Sequence, residues 1–208
     1  MVRQLDIAEK DRRLDKLHKK LHTFTDTSLY DYRVKHAYLP VPGEGSSNAQ
    51  VMFIGEAPGE KEARTGRPFV GASGKQLDKL LATIGLSREN VFITSVVKDR
   101  PPKNRDPWPE EIALYGPLLL AQIGIIQPRV IATLGRYSLQ YLLSRYKAPQ
   151  AGQTISALHG KPIPVVEKYG NVIILPLYHP AVVLYGQKLR QALLDDFQVL
   201  KKLLRKKV

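Results

Sequence analysis

The chain has no cysteine in 208 residues. That absence removes disulfides, thiolate zinc sites, iron–sulfur clusters and cysteine nucleophiles together. Long apolar runs are missing too: no uninterrupted stretch approaches the roughly 20 residues that span a bilayer. The amino-terminal MVRQLDIAEKDRRLDK lacks the apolar core of a signal peptide, so a cytoplasmic location is expected. Acidic residues are in short supply, 19 Asp and Glu against 32 Lys and Arg, and the formal charge is +13. Such an excess favours a polyanion, which gains affinity through phosphate contacts and counterion release. Basic runs such as DRRLDKLHKK (11–20) and KKLLRKK (201–207) either solvate terminal helices or take part in those contacts.

What is present is an ordinary apolar fraction, 43 %, and a length suited to one domain with a real core. Leu14, Leu17, Leu21 and Phe24 recur at helical spacing, which predicts an amphipathic first helix. A turn-rich link, VPGEGSSNA (41–49), leads to an apolar strand VMFI (51–54). Further strands are expected at 91–97, 130–135, 162–166 and 171–177. Helices are expected near 110–123, where Pro117 introduces a bend, at 136–146, and at the end, where Leu189, Leu193, Phe197, Leu200 and Leu204 form an apolar stripe. A helix beginning near Gly74 carries a capping-box pattern, Ser73 with Gln76 three residues on. Short β-branched runs alternating with helices predict a three-layer α/β/α sandwich around a mainly parallel four-stranded sheet. Residues 1–208 form one domain in this reading, with 1–45 an amino-terminal helix and linker packed on it.

In such folds ligands sit at the carboxyl ends of the strands. Three unusual segments fall there: GEAPGEKEARTGRPFVG (55–71), KDRPPKNRDP (98–107) and His179-Pro180. Their convergence on one pocket is expected. GASGKQ (71–76) superficially suggests a phosphate loop, but that pattern requires a glycine where Phe69 stands, and Gln76 replaces the magnesium-binding hydroxyl. His18 and His22 share a helix face at i and i+4; without another ligand nearby, a solvated face is expected.

GEAPGEKEARTGRPFVG, then NVFITSVVKDRPPKNRDP, then HPAVVL resemble, in order and spacing, the signature segments of the uracil-DNA glycosylase superfamily. The closest likeness is to the thermostable, iron–sulfur type called family 4, over about residues 50–200. The resemblance implies a monomeric α/β/α enzyme that flips a deaminated base from single- or double-stranded DNA. It hydrolyses the N-glycosidic bond with no metal ion in the chemistry. A DNA-binding paralogue without catalysis is the alternative.

The same resemblance implies roles. Phe69 stacks on the base, and Gly55, the Ala57 N–H and Ser95 contact it. His179 donates to the uracil O2 as negative charge develops there. Glu56, or alternatively Glu62, orients water or balances the sugar cation. Gly71 and Ser73 at a helix start and Arg105 meet the DNA, and Ala181, Val182, Val183 and Leu184 wedge into the stack. Two departures from the pattern are legible. Family 4 enzymes hold a four-iron, four-sulfur cluster on four cysteines, but Asp99 stands at one of those positions, Tyr115 falls near another, and Ser28 and Asp31 correspond to the first pair. No cofactor is therefore expected, and packing around Tyr30, Tyr32 and Tyr115 is expected in its place. The family's strand ends Thr-Asn, whereas this one offers Ser95.

Overall fold

The computed structural model describes residues 5–205. Lys206 and Lys207, the end of the last basic run, lie outside the described residues. Six strands form one sheet: β1 (Glu44–Gly45), β2 (Val51–Gly55), β3 (Phe92–Ser95), β4 (Val130–Leu134), β5 (Ile163–Glu167) and β6 (Gly170–Leu177). Their spatial order is β1-β3-β2-β4-β6-β5. The central four, β3, β2, β4 and β6, run parallel, as expected, but the sheet has six strands rather than four, because β1 and β5 add antiparallel edges.

Both faces of the central strands are buried, so the strands read as continuous apolar runs and alternate residues feed opposite cores. Met52, Ile54, Phe92, Ile131 and Ile174 face one layer of helices. Val51, Phe53, Ile93, Ala132 and Leu175 face the other. The first layer holds α5 (Pro109–Ile126) and α6 (Arg136–Arg145), with α1 (Ile7–His22) packed on α5. The second holds α4 (Ala72–Thr83) and α8 (Gln187–Arg205). Phe197 of α8 stacks on Phe53, ring centroids 5.9 Å apart. Short helices α2 (Tyr30–Lys35), α3 (Glu60–Thr65) and α7 (Ile155–Leu158) complete the chain.

Some boundaries differ from expectation. Helix α4 starts at Ala72 with Gly71 as its cap, and no Ser73 capping box forms. Helix α5 continues through Pro117 to Ile126. His18 does not lie on a fully solvated face: its Nε2 is buried without a hydrogen-bond partner among the described residues, and burial, then the nearby Lys98 ammonium, lower its pKa to about 4. His22 is exposed, as expected. No described helix is long and apolar enough to cross a membrane.

Candidate active site

Parallel strands put the ends of β2, β3, β4 and β6 on one edge of the sheet, and the three unusual loops meet there. They enclose a pocket of about 320 Å³ lined by, among others, Glu56, Ala57, Glu62, Phe69, Gly71, Ser73, Ser95, Arg105 and His179. Val41, Pro101 and Asn104 also line it. Sequence reading passed over these three, although Asn104 sits in the same basic, proline-rich loop.

Phe69 forms the pocket's aromatic wall. Its backbone is left-handed, φ 51°, an uncommon conformation for an aromatic residue. Several contacts hold it there. Arg88 donates to the Phe69 carbonyl at 3.1 Å and to the Pro68 carbonyl, and is itself paired to Glu44 at 2.6 Å and Asp78 at 2.9 Å. From the other side Glu62 Oε1 accepts from the Val70 and Gly71 N–H groups at 2.9 and 2.8 Å. Glycines admit the turn: a Cβ on Gly55 would lie 2.7 Å from Phe69 Cζ, and one on Gly74 would collide with the Phe69 carbonyl. Gly55 thus acts by letting the ring approach the strand end.

Glu62 is therefore a strut with one oxygen committed to backbone, while Glu56 is different. Its carboxylate lines the pocket with no hydrogen-bond partner among the described side chains. Burial, then the Asp106 charge, push its pKa up to about 7, against a smaller opposing pull from Arg136. Asp106 itself is tied to Arg136 at 2.8 Å and to Tyr137.

His179 sits where β6 ends. Ala181 N–H donates to its Nδ1 at 3.3 Å, so Nδ1 carries a lone pair and the neutral ring keeps its hydrogen on Nε2. Burial lowers the pKa, which favours that neutral form. The imidazole lies 5.9 Å from the Phe69 ring, centroid to centroid, with Nε2–H free among the described residues. Ser95 ends β3, 3 % exposed, with its side chain in the pocket wall. The Ala57 N–H makes no hydrogen bond among the described residues.

Other expected positions fare unevenly. Gly71 offers no free N–H, since it donates to Glu62 Oε1. Arg105 is committed to Glu111 through two bonds of 2.9 and 2.6 Å. Within the turn Pro180–Leu184, Ala181, Val182 and Val183 are partly buried, and the two valines pack on the core. Leu184, 64 % exposed, and Tyr185, 77 % exposed, are the side chains that project.

The positions matching cluster ligands do not fit such a group. Asp99 and Arg33 are both buried, at 1 % and 5 % exposed, and pair at 2.9 Å. Tyr115 O–H also donates to the Asp99 carboxylate. Arg33 donates further to the Phe24 carbonyl at 3.0 Å and lies over the Tyr30 ring at 5.1 Å. Ser28 donates to Glu111 at 3.1 Å. Carboxylate, phenol and hydroxyl are hard oxygen donors, ill matched to iron–sulfur chemistry; Asp99 and Tyr115 are tied to each other and Ser28 to Glu111, while Asp31 stands exposed. An ion-pair network with Tyr30 and Tyr115 fills the locus. Tyr32 is not part of it and packs on His36 at 4.1 Å instead.

Comparison with known proteins matches residues 42–201 to the Uracil DNA glycosylase superfamily. The type-4 uracil-DNA glycosylase of Sulfurisphaera tokodaii is 44 % identical over 191 residues, covering 91 % of this chain and 84 % of that one. That of Saccharolobus solfataricus is 47 % identical over 169 residues, covering 80 % and 77 %. The type-5 uracil-DNA glycosylase of Thermus thermophilus is 34 % identical over 155 residues, covering 67 % and 68 %. Fold, pocket and similarity agree, and the chain belongs to the uracil DNA glycosylase superfamily.

Proposed function

We propose that the chain is a DNA-repair glycosylase that extrudes uracil, or a related deaminated base, and hydrolyses its N-glycosidic bond to leave an abasic site. It acts as a monomer in the cytoplasm. The observation that carries the reading is the pairing, in one pocket, of a neutral His179 Nε2–H donor with an unpartnered Glu56 carboxylate beside the Phe69 ring.

An extruded base slides against Phe69 and gives its edge to the Ser95 hydroxyl and the Ala57 N–H. As the C1′–N1 bond breaks, its electron pair moves onto the ring and charge collects at O2. There His179 Nε2–H stabilises it without transferring a net charge of its own. Positive charge grows at C1′, and the ionised Glu56 balances it and orients a water. The water oxygen bonds C1′, its proton leaves through Glu56 to solvent, and the base departs as its N1 anion, which takes a proton back from solvent to become uracil. Every step uses groups of this chain and needs no metal.

Uracil-containing single- and double-stranded oligonucleotides, followed by alkaline cleavage of abasic sites, test the proposal directly. Strand scission at the uracil position is expected. Tight binding without scission would leave a DNA-binding paralogue and retire the enzymatic reading.

A further inference from the structure

The chain contains a single tryptophan, Trp108, and it stands half exposed, at 51 %, between Pro107 and Pro109 at the start of α5. Nothing in the reaction described above uses it. Its surroundings are unusually rigid for an exposed indole. The Arg105 guanidinium lies over the ring, 3.7 Å from its centroid, and is fixed by two bonds to the buried Glu111 carboxylate. Glu111 also accepts from the Trp108 backbone N–H at 2.8 Å. One face of the indole is thus covered by a locked cation. The other is open.

Arg105 is at the same time part of the pocket wall. Arg105 thus touches both the indole and the cavity proposed to take the extruded base, on a chain whose formal charge is +13. We propose that Trp108, preorganised on Arg105, is a stacking platform for the unpaired base next to the extruded nucleotide on the same strand. The inference rests on the glycosylase reading and adds a second base-binding position to it. Aromatic platforms suit this task because every base presents a π-face, so stacking is tolerant of sequence while phosphate contacts hold the strand. A cation beneath the ring strengthens the platform and holds its rotamer. Recruitment of a protein partner to the exposed indole is the competing occupant, and it predicts no response to nucleotides.

Because Trp108 is the sole tryptophan, its emission reports this position alone. The experiment titrates the intact protein with single-stranded oligonucleotides carrying one 2′-fluoro-2′-deoxyuridine, which resists glycosidic hydrolysis. The neighbouring nucleotide is either intact or abasic, on the 5′ or the 3′ side. Quenching is expected with intact flanks and is expected to vanish when one particular flank lacks its base. Trp108→Ala should weaken binding to the intact oligonucleotide by about tenfold, the usual scale for one lost base stack. On the oligonucleotide lacking that flanking base, wild type and variant should bind alike. Trp108→Phe should restore part of the difference.

An affinity loss that persists equally on the abasic flank would mean a structural defect and would overturn the platform. Excision of ordinary uracil by the wild type, with emission unchanged on binding, would also overturn it while leaving the glycosylase standing. Flank-dependent quenching without excision would support the platform and remove the enzyme.

Discussion

Glu56→Gln is the substitution that most directly separates a charged Glu56 from a merely polar one. Burial and the neighbouring Asp106 charge raise its pKa from 4.5 to about 7. Only about a tenth of the protein then carries the charge at a pH one unit lower. If the carboxylate supports cation development at C1′, single-turnover excision should climb nearly tenfold per pH unit up to about 7 and flatten above it. Glutamine should lie about 100-fold or more below that plateau and show no such rise. Asp106→Asn removes a charge that raises the midpoint, so the midpoint should fall. The same shift has a stability consequence of opposite sign. A carboxyl whose folded pKa exceeds its unfolded value supports folding below the unfolded value and loses that support as pH rises through the folded one. From 4.5 to about 7 the full effect is roughly 3 kcal/mol. Solvent screening of a half-buried group reduces this to about 1 to 2 kcal/mol. Glu56→Gln should therefore be more stable than wild type at pH 8 in urea unfolding, yet nearly inactive. Excision that is flat between about pH 5.5 and 8.5, in a protein whose Gln variant is equally active, would refute the assignment.

His179→Ala should lower single-turnover excision by about 100-fold or more while DNA affinity in a filter or fluorescence assay changes little, because the donor acts on charge that appears late. Ser95→Asn should raise uracil excision several-fold and narrow activity on hypoxanthine and xanthine, since an amide offers acceptor and donor side by side where a hydroxyl offers one rotatable hydrogen; identical rate profiles would show that this side chain does not read the base. Asp99→Asn should cost about 3 to 5 kcal/mol in urea unfolding by leaving the buried Arg33 guanidinium without its counter-charge. Replacing Asp99 and Arg33 together by leucine should cost less than that, and an equal or larger loss would contradict the ion-pair account.

The central strands were legible because they are buried on both faces: VMFI and VIATL leave little else that such runs could be. Strand β1 was not, since Glu44 and Gly45 belong to a sheet only through pairing with Ile93 and Phe92. The start of α4 misleads for a related reason. Ser73 and Gln76 spell a local cap, but the backbone N–H groups preceding the helix are satisfied by Glu62 on another helix. Local patterns cannot register a partner supplied by tertiary structure. The choice between Glu56 and Glu62 was open on the same ground, both being carboxylates in one glycine-rich loop. Distance along the chain likewise hid Arg88 and Glu44, whose partnership spans 44 residues and holds the Phe69 turn.

The segment KDRPPKNR illustrates how a loop with so much charge becomes a pocket wall. Lys98 is fully buried, and its ammonium donates to the Thr94 hydroxyl, the Ser95 carbonyl and Gln122 at 2.6, 2.6 and 2.7 Å. Asp99 faces the opposite way, to Arg33 and Tyr115. Arg100 bonds Tyr38 and Asn104 at 2.6 and 2.8 Å, and Arg105 closes on Glu111. Successive charges are thus tied to the strand, the amino-terminal helices, the linker and α5. Burial holds the Lys98 pKa well below the usual lysine range, its acceptors all being neutral; in the Arg33–Asp99 and Arg105–Glu111 pairs, removal of one partner would strand the other. Satisfied together, they leave the backbone of the loop few ways to move. In the proposed function that is what Ser95, Pro101 and Asn104 need in order to present a fixed edge to a base, and it shows how an oxygen-rich network can stand at these positions without loosening the wall it supports.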